Sequence, residues 1–228
     1  MRNSRHPDLP DVPMSRESPS AQDAASPWKP AVARAREREA KRQAVLQTAA
    51  QLFNERGFHA TSLDDIAERL HVSKPTLYYY VKSKDDILLE CVRSALVVMS
   101  AGIEAVRQSG GRALDQLIAC MRIYSSIVTE DFGKCLILIG EDPLQLPLKN
   151  ELRQLKAGID LEFRRLIAEG IEEGSIAPCN PKLAAFVLGG ALSWIGRWYR
   201  ADGEMTAEQI TDQAVELLLQ GILSPSQR

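Results

Sequence analysis

Residues 71 to 84, HVSKPTLYYYVKSK, concentrate hydroxyl, ammonium and aromatic groups in one short segment of the chain. Three of the five tyrosines, Tyr78, Tyr79 and Tyr80, stand in a row between lysines. Successive side chains on a helix point about 100° apart, so three adjacent tyrosines cannot all be buried together. Phenol and hydroxyl groups can bond phosphates, and aromatic rings can pack on thymine methyl groups. This segment therefore predicts nucleic-acid recognition.

The spacing within the segment predicts which side chains face outward. In a helix that starts at Lys74, Leu77 and Val81 are four residues apart and face the core. The other positions form i, i+4 pairs on the exposed arc: Lys74 with Tyr78, Pro75 with Tyr79, and Thr76 with Tyr80. Lys74 and Thr76 can bond base edges in this arrangement.

Residues suited to catalysis are few and badly placed. The three histidines, His6, His59 and His71, lie in the N-terminal tail, in a loop and in a turn. The chain has no phosphate-binding loop, no GxGxxG and no GxSxG motif. We therefore expect no enzymatic activity, no metal site and no cofactor.

Charge is unevenly distributed along the 228 residues, although the net charge is only −2. Residues 34 to 84 hold 10 basic and 6 acidic side chains, a net charge of +4, while residues 85 to 228 are net acidic. This division is typical of an anion-binding head joined to a larger body with another task.

The four cysteines, Cys91, Cys120, Cys135 and Cys179, are widely spaced among apolar residues, which predicts buried, reduced thiols. The N-terminus has no apolar signal region, and no stretch is long and apolar enough to span a membrane. We therefore expect a cytoplasmic protein.

The N-terminal region has two features with different expectations. The first 30 residues are rich in proline and polar side chains, so we expect residues 1–33 to be a disordered extension. An arginine run follows, with Arg34, Arg36 and Arg38 before Lys41 and Arg42. It is either the solvated first turns of a helix or a basic arm that enters the DNA minor groove.

The pattern from Arg34 to Lys84 predicts three helices. Val45, Ala49, Leu52 and Phe53 form an apolar stripe on a long helix that ends at Gly57. Thr61 or Ser62 caps a second helix, whose inner face is Leu63, Ile66, Ala67 and Leu70, and Ser73 caps a third. Two short helices joined by a tight turn and supported by a longer one are typical of a helix-turn-helix unit.

The stretch VLQTAAQLFNERGFHATSLDDIAERLHVSKPTLYYYVKSKDDIL resembles the N-terminal domain of the TetR family of bacterial transcriptional regulators. Where many family members have His or Phe in the YYHF stretch, this chain has Tyr80 and Val81. The resemblance implies a DNA-binding domain at residues 34–84 and a double-stranded DNA operator as partner. The residues it implies as DNA contacts are Thr61, Ser62, Ser73, Lys74, Pro75, Thr76, Tyr78, Tyr79, Tyr80 and Lys84.

The rest of the chain also predicts helices, so we expect an all-α protein. After Ser83 a long apolar helix runs to Gly110, and further helices are predicted over 112–129, 133–140, 146–173, 181–200 and 206–222. Asn180 and Thr206 are predicted caps, and Gly174 is predicted to end a helix. The resemblance implies that residues 85–224 bind an effector and dimerise.

The segment PKLAAFVLGGALSWIGRWYR is apolar nearly all round, which predicts burial on more than one side. With the final helix it predicts the four-helix homodimer interface usual in the family. The residues we expect there are Phe186, Gly189, Gly190, Ile210, Ala214, Leu217 and Leu218.

A sensing pocket between the central helices would be lined mainly by apolar and aromatic side chains. The candidates are Met99, Ile103, Cys120, Met121, Tyr124, Phe132, Cys135, Leu138, Phe163, Ile167 and Trp194. Each also has a plain interpretation as core packing. Arg197 is either a helix-end cation, a stacking partner of a tryptophan, or an anchor for an anionic ligand.

The end of this segment, WIGRWYRADGEMTAEQI, is similar to the corresponding part of family members that govern steroid and fatty-acid catabolism and respond to acyl-CoA thioesters. This resemblance implies a repressor that releases a pseudo-palindromic operator when an acyl-CoA binds. The alternative hypotheses are a constitutive DNA-binding protein and an activator that responds to another hydrophobic molecule.

Overall fold

The computed structural model describes residues 31–140 and 142–222, and the predictions for residues 1–30 lie outside this range. The described residues form helices joined by short loops, which confirms the all-α prediction. The helices are α1 (Ala31–Arg56), α2 (Leu63–Arg69), α3 (Lys74–Tyr80), α4 (Lys84–Ser109), α5 (Ala113–Thr129), α6 (Asp131–Leu138), α7 (Leu146–Glu172), α8 (Pro181–Trp198) and α9 (Ala207–Gln220).

The chain divides into two units, one ending at Arg38 and one beginning at Glu39. The described part of the first unit is the N-terminal portion of α1, which begins three residues before the predicted Arg34. Arg34, Arg36 and Arg38 are exposed there. All other helices belong to the second unit.

Serine caps determine where the three helices after α1 begin. Ser62, Ser73 and Ser83 each precede a helix and accept a hydrogen bond from the main-chain N–H three residues later. This interaction satisfies a donor that the helix itself leaves unpaired. The caps predicted at Asn180 and Thr206 are confirmed in the same way.

The inner side chains of α1 to α3 are densely packed, in a core that continues into the other helices of the second unit. Phe53, Ile66 and Leu77 are completely or almost completely buried. The rings of Phe53 and Phe58 meet edge to face, with centroids 5.1 Å apart. The predicted inner positions of all three helices therefore face one core. Gly57 ends α1 with a φ of 90°, a conformation that favours glycine.

Close backbone contacts hold α5, α6 and α8 together. A side chain at Gly133 of α6 would lie only 1.9 Å from the carbonyl oxygen of Ile127 in α5. A side chain at Gly196 of α8 would lie 2.8 Å from the carbonyl oxygen of Val128. Glycine is therefore required at both positions for these helices to approach as closely as they do.

Helix α8 has apolar side chains on two opposite faces, as its sequence predicts. Ala185, Leu188, Leu192 and Ile195 are buried inside the chain. The opposite face is exposed and carries Leu183, Phe186, Val187, Trp194 and Trp198.

Two predictions about burial are wrong. Cys179 is exposed, because it lies in the loop before α8 and not within a packed helix. Ile210 is buried within its own chain and so is not available to a partner subunit, because the first turns of α9 pack inward. Within the described residues, no helix is long and apolar enough to cross a membrane.

Candidate nucleic-acid interface and effector cavity

Helix α3 presents most of its polar and aromatic side chains to solvent. Tyr78 and Tyr79 are 49% and 62% exposed, whereas Leu77 between Thr76 and Tyr78 is fully buried. Tyr80 is half-buried and packs against the core, with its ring edge to face with Tyr79 at 5.0 Å. Two of the three tyrosines therefore face outward, and the third supports them.

The other outward positions of this face lie around the ends of α2 and α3. Lys74, Pro75 and Thr76 are exposed in the first turn of α3. The Ser73 and Thr76 hydroxyl oxygens are 2.8 Å apart, so Ser73 both caps the helix and holds the Thr76 hydroxyl. His71, in the turn before them, has a φ of 54°, which is uncommon for a residue with a side chain.

Ser62 is exposed but already engaged in a capping box. Its hydroxyl accepts a hydrogen bond from the Asp65 N–H at 3.1 Å, while the Asp65 carboxylate accepts one from the Ser62 N–H at 2.7 Å. The pKa of Asp65 is lowered, chiefly because the Ser62 hydroxyl donates to the carboxylate.

Thr61 does not fit the predicted role of a DNA contact. Its side chain is buried, and its hydroxyl donates to the carbonyl oxygens of Gly57 at 2.9 Å and Leu52 at 3.3 Å. These bonds close the loop between α1 and α2. A threonine beside a predicted cap can either contact DNA or bond to the main chain of its own loop. The sequence alone does not distinguish these two roles.

Lys84 is half-buried at the start of α4 and is held by the same loop. Its ammonium group donates to the carbonyl oxygens of Phe58 at 2.7 Å and Thr61 at 2.8 Å, and it lies 4.5 Å from the centroid of the Phe58 ring. An ammonium group has three donors, so one remains for another acceptor.

Lys74 is paired with a carboxylate that the sequence did not mark as part of this face. Its ammonium group donates to Asp64 of α2 at 2.9 Å. The pKa of Lys74 is raised, first because Asp64 accepts this hydrogen bond and then because the charges attract. Asp64 also lines one shallow groove together with Ser62, Lys74 and Tyr78.

Asp131, the first residue of α6, ties this helix to α1. Its carboxylate accepts hydrogen bonds from Gln47 at 2.5 Å and Gln51 at 3.2 Å, and its carbonyl oxygen accepts one from Asn54 at 3.0 Å. The three amide side chains stand about one turn apart on α1. Nothing in their spacing indicates a partner more than seventy residues away, so the sequence did not predict this joint.

A cavity of about 300 Å³ lies between α4, α5, α6, α7 and α8. It opens to solvent beside the exposed Phe186 and Gly190 of α8. Its walls are mostly apolar and consist of Leu96, Met99, Tyr124, Leu136, Ile137, Lys156, Ile159, Asp160, Phe163, Ala185, Phe186, Gly189, Gly190 and Ser193.

Few polar groups face this cavity. The Tyr124 hydroxyl and the Ser193 hydroxyl are 2.6 Å apart, and burial raises the pKa of Tyr124. Lys156 and Asp160 stand one turn apart on α7, and Asp160 forms an ion pair with Arg164. An apolar volume with few polar groups is typical of a site for a hydrophobic small molecule.

The predicted effector residues either line the cavity, lie in or near the core, or lie on the outer face of α8. Met99, Tyr124 and Phe163 line the cavity. The remaining inward residues belong to the core or pack against it instead, namely Ile103, Cys120, Met121, Phe132, Cys135 and Ile167. Leu138 is half-buried and does not line the cavity. Most of the lining residues that we missed sit among similar apolar positions, so no local pattern singles them out.

Trp194 does not line the cavity, contrary to prediction, and neither does Arg197, for which the sequence left three roles open. Both are exposed on the outer face of α8, and the Arg197 guanidinium lies 5.8 Å from the centroid of the Trp194 ring. This geometry corresponds to the stacking interpretation of Arg197. Helix α8 is apolar on both sides. Periodicity alone does not distinguish the side that packs inside the chain from the side that is exposed.

The predicted dimer residues are partly exposed and partly shared with the cavity. Leu217 of α9 is 69% exposed, and Ala214 and Leu218 beside it are half-buried. Phe186, Gly189 and Gly190 lie on α8 and also line the cavity. The same stretch of α8 thus borders both the cavity and the predicted dimer interface.

Two of the three buried thiols have raised pKa values. Burial raises the pKa of Cys120 to about 11. The pKa of Cys135 is also raised, first by a hydrogen bond with Cys91 and then by burial. In the part of the chain that the structure describes, no group of three or more His, Cys, Asp or Glu side chains could hold a metal ion.

Comparison with known proteins identifies the class to which this fold and these surfaces belong. The family described as bacterial regulatory proteins, tetR family, matches residues 45–91, and the tetracyclin repressor-like C-terminal domain matches residues 110–222. The chain belongs to the TetR family of transcriptional regulators, and it is a regulator and not an enzyme.

Individual members of the family are similar to this chain in sequence and in fold. The transcriptional regulator RutR of Escherichia coli strain K12 is 31% identical over 187 residues, which cover 78% of this chain and 82% of RutR. The ketosteroid transcriptional regulator KstR2 of Mycobacterium tuberculosis is 25% identical, with a TM-score of 0.74 over 81% of this chain and 95% of its own. AibR, solved with isovaleryl coenzyme A and operator DNA, is 26% identical, with a TM-score of 0.69 over 78% and 98%.

Proposed function

We propose that this regulator is a homodimeric repressor that binds a pseudo-palindromic operator and releases it when an acyl-CoA thioester binds. The observation that carries the proposal is the joint presence of an outward-facing α3 and an apolar cavity whose walls include α4 and α6. One surface fits DNA, the other fits a small molecule, and helices connect them.

Contacts with DNA are assigned to the exposed face of α3 and its surroundings. Tyr78 and Tyr79 offer aromatic rings and phenol groups, and Lys74 offers a positive charge. In helix-turn-helix proteins the second of the two short helices enters the major groove. Ser62 and Lys84 flank this face and fit phosphate contacts, which orient the protein on the duplex.

Dimerisation is supported by the exposed apolar side chains of α8 and α9. Leu183, Val187 and Trp198 of α8 and Leu217 of α9 are all at least half exposed. Several large apolar side chains exposed along one face of a helix usually mark an interface. A two-fold dimer places two copies of α3 on successive half-sites, which is why such operators are pseudo-palindromic.

An acyl-CoA is supported by the shape and chemistry of the cavity. Its apolar walls suit an acyl group, and the Tyr124 and Ser193 hydroxyls can orient a thioester carbonyl. A volume of about 300 Å³ accommodates an acyl group but not the nucleotide as well. The nucleotide would therefore extend through the opening beside Phe186. The complex of AibR with isovaleryl coenzyme A supports this ligand class by analogy.

Release of DNA follows from the helices that the cavity and the head share. Leu136 and Ile137 of α6 line the cavity, and Asp131 at the start of α6 is bonded to α1. Leu96 and Met99 of α4 also line the cavity, and α4 follows α3 after only three residues. A ligand that displaces α4 and α6 would thus move both supports of α3.

The proposal is tested by footprinting purified protein on the DNA upstream of its own gene, with and without a series of acyl-CoAs of increasing acyl size. We expect a protected pseudo-palindrome that one thioester abolishes, while free coenzyme A leaves it intact. Protection that no thioester disturbs would refute the ligand class and retain the DNA-binding function. Absence of protection on this DNA and on operators selected from random sequence would refute the function itself.

A further inference from the structure

The exposed ion pair between Lys74 and Asp64 joins the two helices of the helix-turn-helix unit. Lys74 is the first residue of α3 and Asp64 the second residue of α2. The ammonium and carboxylate groups are 2.9 Å apart, and the side chains are 50% and 65% exposed. Neither group is buried, so the pair is open to exchange with another charged group that approaches from solvent.

The fold does not need the Asp64 carboxylate to close α2. Asp65, the next residue, completes the capping box with Ser62 and lies 3.6 Å from Arg56. Asp64 directs its carboxylate across to α3 instead. Its position in the first turn of α2 is favourable for a negative charge. The residue that caps this end of the helix with Ser62, however, is Asp65.

Asp64 also occupies an unusual place for an acidic side chain. It lines one surface groove together with Ser62, Lys74 and Tyr78, three of the residues assigned to DNA contacts. A duplex that approaches this groove brings a dense row of phosphate charges. The carboxylate then repels the phosphates and holds the lysine that would otherwise attract them.

We infer that Asp64 is an intramolecular competitor of DNA phosphates for Lys74, and that it limits the affinity of the head for DNA of any sequence. The inference rests on the proposed DNA-binding function. Because phosphate contacts carry no sequence information, the competition acts on operator and unrelated DNA alike. It keeps Lys74 occupied until a phosphate is close enough to replace the carboxylate.

The substitution Asp64→Asn tests the inference, because it removes the charge and keeps the shape of the side chain. Glu55→Gln is the matched control: it also removes one negative charge and breaks an exposed 2.8 Å pair, that of Glu55 with Arg69, outside the assigned DNA contacts. Binding to an unrelated duplex and to the selected operator is measured by fluorescence anisotropy from low to moderate salt. Thermal unfolding verifies that each variant is folded.

We expect Asp64→Asn to bind both duplexes about two- to tenfold more tightly than Glu55→Gln at low salt, as for the release of one exposed pair. The dependence of log K on log salt should steepen by up to about one per head, since Lys74 then adds an ion pair with a phosphate instead of exchanging the Asp64 carboxylate for it. In a Lys74→Gln background the same Asp64→Asn change should give a clearly smaller gain, because it then removes only the direct repulsion between the carboxylate and the phosphates.

Three results would overturn the inference. Equal binding by Asp64→Asn and Glu55→Gln would mean that the loss of one negative charge anywhere on the head explains the tighter binding. Weaker binding by Asp64→Asn would mean that Asp64 presents Lys74 to DNA or contacts it directly. A gain limited to the operator would exclude competition with phosphates. If the unsubstituted protein binds no duplex at all, the proposed function fails first, and this outcome is distinguishable from the other three.

Discussion

Leu77 and Tyr78 are adjacent in the chain, but the Leu77 side chain is fully buried while the Tyr78 ring is about half exposed. The 100° turn between neighbouring helical residues separates the core of the head from its outer face in a single step. These two positions therefore allow the stability of the head and its binding of DNA to be tested separately.

Truncation of Tyr78 should affect binding and leave the fold intact. We expect Tyr78→Ala to weaken operator binding by about 1 to 3 kcal/mol, as for the loss of one good contact to DNA. Because the ring is half exposed, the midpoint of thermal unfolding should change little. Anisotropy titration and calorimetry measure the two quantities, and an unchanged operator affinity would refute the assigned face.

Truncation of Leu77 should have the opposite effect. Leu77→Ala leaves a cavity in the core cluster to which Leu77 belongs and should lower the free energy of unfolding by about 2 to 5 kcal/mol. Urea denaturation followed by circular dichroism measures this change. A loss below about 1 kcal/mol would contradict the packing described for α3.

Helix α6 depends on one residue for its position against α5. A Cβ atom at Gly133 would overlap the carbonyl group of Ile127, so Gly133→Ala must push the two helices apart. We expect a loss of about 3 kcal/mol or more in the free energy of unfolding. The Asp131 bonds to α1 should weaken together with it, which hydrogen exchange at α1 would detect.

Gly158→Ala is the control for this prediction. Gly158 is an exposed residue within α7, and a Cβ atom there meets nothing within 4 Å. Alanine forms helices more readily than glycine, so this variant should be stabilised by up to about 1 kcal/mol. Equal effects of the two substitutions would show that helix propensity and not close packing determines the result.

At the level of helices, local sequence predicted most of the architecture. The caps at Ser62, Ser73 and Ser83 are short-range interactions, so their residue types mark helix starts directly. The inner faces of α1 to α3 follow from the helical period in the same way. The joint between Asp131 and α1 depends on residues far apart in sequence, and no local pattern encodes it.

The errors in site residues have one physical origin. Periodicity shows that a helix has an apolar side, but it does not show whether that side meets its own chain, a cavity or another subunit. Trp194 was therefore placed inside and Ile210 outside, and the structure reverses both. Thr61 was placed on the surface, although its hydroxyl satisfies main-chain carbonyls within the loop.

At the scale of the whole molecule, the exposed apolar side chains of α8 and α9 predict the oligomeric state. Leu217 is 69% exposed and does not line the cavity, so Leu217→Glu tests the interface without altering the ligand site. Burying a carboxylate at an apolar interface is costly. We expect this variant to sediment as a monomer at concentrations where the unsubstituted protein is a dimer.

Val98→Glu is the control for the interface prediction. Val98 is also exposed, at 59%, but lies on α4, a helix that contributes no residue to the assigned interface. This variant should remain dimeric. If Leu217→Glu also remains dimeric at low micromolar concentration, α9 does not contribute to the interface as proposed.

Cys179 provides a single accessible thiol for labelling each chain. All four cysteines lie within the described residues, and Cys91, Cys120 and Cys135 are buried while Cys179 is exposed in the loop before α8. A maleimide dye should therefore attach to the unsubstituted protein at one site per chain. Two chains labelled with a donor and an acceptor dye would then report subunit exchange by energy transfer, without any engineered cysteine.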